Sequence, residues 1–110
     1  MSELARLLVR EAVDGRLVVR VEGEVDASNA GAVLQGLESA LTEPELLVDL
    51  SGLGYLDSAG VRVLYALAES AAVRRTRVSL AVPENSPVRR VLEVAGVNAV
   101  LPLETRAVSL

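Results

Sequence analysis

The chain contains no cysteine, histidine, tryptophan or phenylalanine, and all 11 of its basic residues are arginine, so lysine is missing as well. Each gap removes a class of chemistry. Without Cys there is no thiol nucleophile and no disulfide framework, and either redox compartment is permitted. Without His there is no imidazole general base and no His-based zinc or haem site. Without Lys there is neither a Walker-type phosphate loop nor a Schiff base. No cofactor and no metal are therefore expected, and the chain does not read as an enzyme. Long apolar runs are missing too: no stretch approaches the roughly 18 consecutive apolar residues of a membrane span. The opening Met1-Ser2-Glu3-Leu4-Ala5-Arg6 lacks the basic and apolar regions of a signal peptide. A soluble, cytoplasmic protein is the expectation.

What is present suits one hydrophobic core. The chain has 110 residues, 51% of them hydrophobic, enough for one domain but not two. Fifteen acidic residues against 11 basic ones give a net charge of −4. That balance argues against direct binding of nucleic acid, which draws its affinity from neutralised phosphates.

Leu7-Leu8-Val9-Arg10 and Leu17 to Glu22 are β-rich runs joined through Asp14-Gly15, which predicts a hairpin. Leu17, Val19 and Val21 share its core face, opposite Val18, Arg20 and Glu22. Gly23-Glu24-Val25-Asp26 ends the second strand, and a helix starts at Ser28 or Asn29. Its stripe is Ala30, Val33, Leu34, Leu37 and Leu41, with Pro44 as the stop. Leu46 to Leu50 has the near-continuous apolar pattern of a strand buried on both faces. Ser51 to Gly60 reads as a Gly-rich connection into a second helix, lined by Val61, Leu64, Tyr65, Ala68 and Ala72. Arg77 to Val82 is the next strand. Ser86-Pro87 opens a third helix with a buried stripe of Val88, Val91, Leu92 and Ala95, closed by Gly96. Val100 to Leu103 predicts a short edge strand because of Pro102. Glu104 to Leu110 is left as a ragged turn or tail. The order ββαβαβαβ predicts an α/β sandwich: a mixed β-sheet with the helices packed mainly on one face.

Gly52-Leu53-Gly54 follows a strand where a dinucleotide fingerprint would sit, but Asp57 occupies the third glycine position and would repel a pyrophosphate. Glycines permitting a tight turn explain it better. Asp57-Ser58-Ala59-Gly60 is the sharper feature. Asp and Ser before a helix suit an N-cap, whose oxygens accept from unpaired backbone N–H groups. The same placement displays Ser58 on the surface as a phosphoacceptor, with small neighbours and outward-pointing amides. As a catalytic nucleophile, Ser58 would lack an activating base.

Leu46-Leu47-Val48-Asp49-Leu50-Ser51-Gly52-Leu53-Gly54-Tyr55-Leu56-Asp57-Ser58-Ala59-Gly60 resembles the signature of the STAS domain, named for sulphate transporters and anti-sigma factor antagonists. Gly23-Glu24-Val25-Asp26 resembles that family's other marker. Element order and length agree, so the resemblance covers residues 1–110 as a single STAS domain. For stand-alone antagonists of the family it implies a partner switch. The unphosphorylated antagonist binds an anti-sigma factor that is a GHKL-type serine kinase, freeing the sigma factor. Phosphorylation of the Ser of Asp-Ser-x-Gly releases it, and a PP2C-type phosphatase resets the cycle. By position, the resemblance makes Ser58 the phosphoacceptor, with Asp26 and Asp57 beside it and Ala59 and Gly60 in the opening turn of the contact face. Ala59 stands where the family often has Ser or Thr, which leaves Ser58 as the hydroxyl modified.

Tyr55 beside Ser58 reads as an interface contact or a packed loop anchor, and Tyr65 as core. Val63 and Leu67, if exposed, would add an apolar centre to the same face. The clusters Arg74-Arg75-Arg77 and Arg89-Arg90 read as solvated faces, or as docking points for an acidic partner or anionic lipid. Two rival roles keep the fold: a constitutive scaffold subunit of a stress-signalling assembly or lipid transporter, and a nucleotide binder. Oligomeric state, monomer or weak dimer, stays open.

Overall fold

The computed structural model describes residues 5–11 and 14–105. Strands β1 (Arg6–Glu11) and β2 (Leu17–Val25) form the expected antiparallel hairpin, with Val9 opposite Val19 and Gly15 at φ +88° in the turn. Helix α1 (Ala30–Ser39) leads to β3 (Glu45–Asp49), which lies parallel to β2 with Val19 opposite Val48. Then follow β4 (Leu53–Leu56), α2 (Ser58–Arg74), β5 (Arg77–Ala81), α3 (Pro87–Val94), a short 3-10 turn over Val97–Ala99, and β6 (Leu103–Glu104). The main path of the sheet is β1-β2-β3-β5-β6, with β4 pairing β2 off that path.

Alternation along the strands sorts the two faces. Val19, Val21, Leu46, Val48 and Leu80 join one apolar cluster with Val33 and Leu37 of α1, Leu64 and Leu67 of α2, and Val88 and Leu92 of α3. All three helices therefore cover the same face, as the sequence pattern predicts. Full burial of a leucine such as Leu67 stabilises the fold by about 1.5–3 kcal/mol. On the opposite face Val18, Leu47 and Ala81 form a small second cluster. Beside it lies Asp49, buried, with its carboxylate 3.4 Å from one Arg20 nitrogen and 3.8 Å from an Arg10 nitrogen. Arg20 also binds Glu22 and Ser51.

Three elements differ from expectation. Residues 53–56 form a strand, not merely a loop. Its signal is short and interrupted by Gly54, and it is held by pairing with the end of β2. That pairing also extends β2 through Gly23-Glu24-Val25, with a register shift between Gly23 and Glu24 and Gly23 at φ +97°. The last strand lies at Leu103–Glu104, because Val97–Ala99 makes one more helical turn before Pro102. Residues 106–110 of the expected tail lie outside the described residues.

The buried side of α2 is also rotated from the expected stripe. Gly60, Val63, Leu64, Leu67 and Ala71 face inward, while Tyr65 and Ala72 are exposed. Tyr65 is thus not core: its hydroxyl donates to the Ala95 carbonyl at 2.7 Å, fastening α2 to the end of α3. Val63 and Leu67, being buried, add nothing to a surface. On α3, Val88 and Leu92 are buried as expected, but Val91 is exposed.

Candidate functional site

The two sequence markers meet at the ends of parallel strands. Val25 is opposite Leu56 in the β2–β4 register, so the next residues, Asp26 and Asp57, emerge side by side. The Asp57 amide donates to the Val25 carbonyl at 3.4 Å, continuing the ladder one residue beyond β4.

Each aspartate organises a helix entry. Asp57 is the N-cap of α2, its Oδ1 accepting from the amides of Ala59 at 2.9 Å and Gly60 at 3.3 Å. Asp26 accepts from the Ser28 amide and hydroxyl through one carboxylate oxygen. These bonds favour the ionised form and hold the Asp26 carboxyl below the ordinary aspartate range. Its carbonyl accepts from Asn29 and Ala30 at the start of α1.

Asn29 braces this turn in a way the sequence reading missed. Its side chain is spent outside helix capping: the amide nitrogen donates to the Glu24 carbonyl at 2.8 Å, and the oxygen accepts from the Asp26 amide at 3.0 Å. Buried at 6% exposure, Asn29 locks the Glu24-Val25-Asp26 segment to α1. The sequence places a helix start at Ser28 or Asn29, and a helix start carries no sign of this brace.

Ser58 is the first helical residue of α2 and is exposed. Among the described residues its hydroxyl has no hydrogen-bond partner. The expectation of several free amides is only partly met, because Asp57 already occupies those of Ala59 and Gly60. A phosphate on Ser58 would therefore sit against a carboxylate as well as a helix N-terminus.

The remaining candidates separate into surface and support. Tyr55 lies in β4 and is 49% exposed, on the same short strand that positions Asp57. Ala59 is half-buried. Gly60 is buried, and a Cβ there would lie 2.6 Å from Leu56 Cγ, so its place is beneath the surface that bears Ser58, where it lets α2 approach β4. Among the described residues no three acidic side chains are grouped to hold a metal ion, and no helix is long and apolar enough to cross a membrane.

The profile of the family described as "Mlab, STAS domain" matches residues 8–103. The chain belongs to the STAS domain family. This STAS domain is 30% identical over 99 residues to a Bordetella bronchiseptica protein provisionally described as anti-sigma factor antagonist BtrV, covering 87% of this chain and 84% of that one. Its structure matches the crystal structure of an anti-sigma factor antagonist from Mycobacterium paratuberculosis with a TM-score of 0.81 at 27% identity, over 96% of this chain and 92% of that one. It shares its fold with the Bacillus anti-sigma factor antagonist SpoIIAA. The unphosphorylated form matches with a TM-score of 0.70 at 18% identity, over 92% of this chain and 90% of that one. The phosphorylated form matches with a TM-score of 0.64 at 18% identity, over 92% and 93%.

Proposed function

We propose that this STAS domain is a non-enzymatic anti-sigma factor antagonist, switched by phosphorylation at Ser58. The observation that carries the reading is the exposed, unpartnered Ser58 hydroxyl at the first position of α2, flanked by Asp26 and Asp57. Unmodified, this face binds an anti-sigma factor of the GHKL serine-kinase type. Tyr55 contributes an exposed contact and Ala59 leaves room for the partner, while Gly60 holds the helix in place from below. A PP2C-type phosphatase returns the protein to its binding state.

The chemistry is the partner's. The Ser58 oxygen attacks the γ-phosphorus of ATP, forming one O–P bond as the bond to the ADP oxygen breaks. The hydroxyl proton passes to a carboxylate base of the kinase. The product carries about −1.5 to −2 additional charges. Placed against Asp57 and Asp26, that charge repels a partner surface fitted to the unmodified face, while the helix N-terminus keeps the fold intact.

The test is incubation of the purified protein with ATP and each anti-sigma factor kinase of its source organism, read by intact mass and peptide mapping. One phosphoryl group at Ser58 is expected. Modification elsewhere, or none with any of the kinases, would refute the reading.

A further inference from the structure

The end of β2 is held from both of its edges. On one edge the Val25 carbonyl accepts the Asp57 amide at 3.4 Å. The flanking Glu24 carbonyl and Asp26 amide point to the opposite edge, as alternate groups of an extended strand do. β1 stops short of them, its last pair being Arg6 with Glu22, so among the described residues no strand satisfies them there. The Asn29 side chain does so instead. Its amide nitrogen donates to the Glu24 carbonyl at 2.8 Å, and its oxygen accepts from the Asp26 amide at 3.0 Å. One planar carboxamide, carrying a donor and an acceptor, stands in for a neighbouring strand over a single residue. Asn29 makes no side-chain cap bond to α1, although asparagine at a helix start ordinarily spends its oxygen there. At 6% exposure it offers almost no surface to a partner.

We propose that Asn29 is a positioning residue for Ser58, fixing through the Val25 peptide the place at which Asp57 and α2 enter the site. The inference deepens the phosphorylation reading and rests on it for the reaction affected. The connection is a continuous chain of hydrogen bonds. Asn29 holds residues 24–26, the Val25 carbonyl holds the Asp57 amide, and Asp57 Oδ1 holds the amides of Ala59 and Gly60 at the start of α2. The same carboxamide closes the turn that keeps the Ser28 donors on the Asp26 carboxylate. Without it, two backbone groups lose their partners and the segment is free to shift relative to β4. Phosphoryl transfer requires the attacking oxygen in line with the leaving group, so a small displacement of Ser58 slows transfer more than it weakens docking.

The test compares wild type, Asn29→Ala, Asn29→Thr and Val78→Ala, the last a buried change in β5 that lowers stability away from the site. Tm reports folding, and NMR reports exchange of the Asp57 amide and the titration midpoint of the Asp26 carboxyl. Steady-state kinetics with each anti-sigma factor kinase of the source organism give kcat and KM for Ser58. In Asn29→Ala the Asp57 amide is expected to exchange at least about tenfold faster than in Val78→Ala, and the Asp26 midpoint to rise. The kcat should fall about tenfold with KM held within about twofold. Asn29→Thr, whose hydroxyl can keep one of the two bonds, should lie between, and it carries the comparison if the alanine variant does not fold. Asp57 exchange and an Asp26 midpoint equal to those of Val78→Ala overturn the proposal, whatever the kinases do. A shift in both with kcat unchanged overturns it too, as does an equal loss of kcat in Val78→Ala. A shift in both, with no Ser58 modification of wild type, supports Asn29 as the brace of the α2 entry and overturns the phosphorylation reading instead.

Discussion

The amide of Asp57 reaches the carbonyl of Val25 at 3.4 Å, and through this single step two markers distant in sequence become one surface. Parallel pairing of β2 with β4 sets the spacing of Asp26 and Asp57, and the α2 cap then sets the place of Ser58.

Ser58→Asp and Ser58→Ala separate charge from folding. Both variants should retain wild-type Tm within about 2–4 °C, because the side chain is exposed and its substitution lies outside the destabilising classes. Ser58→Asp should lose affinity for the cognate anti-sigma factor, whereas Ser58→Ala should bind even in the presence of ATP. Titration calorimetry of both variants decides it, and equal affinities would contradict a charge switch.

Gly60→Ala tests the support beneath the site. The added Cβ would lie 2.6 Å from Leu56 Cγ and 3.3 Å from Val25 Cγ1, pressing α2 away from both paired strands. A loss of about 1–3 kcal/mol is expected from overpacking, larger than the gain from replacing glycine in a helix. Urea denaturation gives the value directly.

Asp49→Ala should cost more than any change at the exposed residues around Ser58. It removes a buried carboxylate shared by Arg10 and Arg20, and it strips the Ser51 amide of its 2.9 Å acceptor. About 2–4 kcal/mol is expected, since charged partners lose their compensation. The same denaturation experiment measures it, with Asp49→Asn falling between the two.

Asp26 gives a pH signature. Its hydrogen bonds from Ser28 lower its pKa in the folded state, so the folded protein holds this proton less tightly than the unfolded chain. The stabilising contribution is therefore present above the unfolded pKa and is lost as pH falls through the folded one. The Asp26 carboxyl carbon, followed by NMR, should titrate below the ordinary aspartate range. Ser28→Ala should move that midpoint upward by removing the hydroxyl donor, and an unmoved midpoint would show that the hydroxyl does not stabilise the carboxylate.

The site was partly legible before folding. Asp57, Ser58 and the opening of α2 could be placed because capping depends on residues within one turn. The orientation of α2 could not. Val61, Val63, Leu64, Tyr65 and Leu67 spread apolar character over more than one side of the helix, so periodicity admits several buried faces. Gly60 resolves the choice: it alone permits close approach to Leu56, and Val63, Leu64 and Leu67 follow it inward. Tyr65 is then carried out to bond Ala95.

By itself, the sequence determined the elements whose information is local. These are the hairpin with Gly15 in its turn, the buried β3 strand, the Ser86-Pro87 helix start and the Asp57-Ser58 cap. It also determined the absence of cysteine, histidine and lysine. Tertiary structure decided what depends on distant partners: β4 as a strand, Asp26 beside Asp57, Asn29 as a brace and the outward placement of Tyr65 and Val91. Four residues around Gly54 have too little intrinsic preference to declare a strand. They become one when β2 offers its free hydrogen-bonding edge, and that pairing brings the segments that end in Asp26 and Asp57 together.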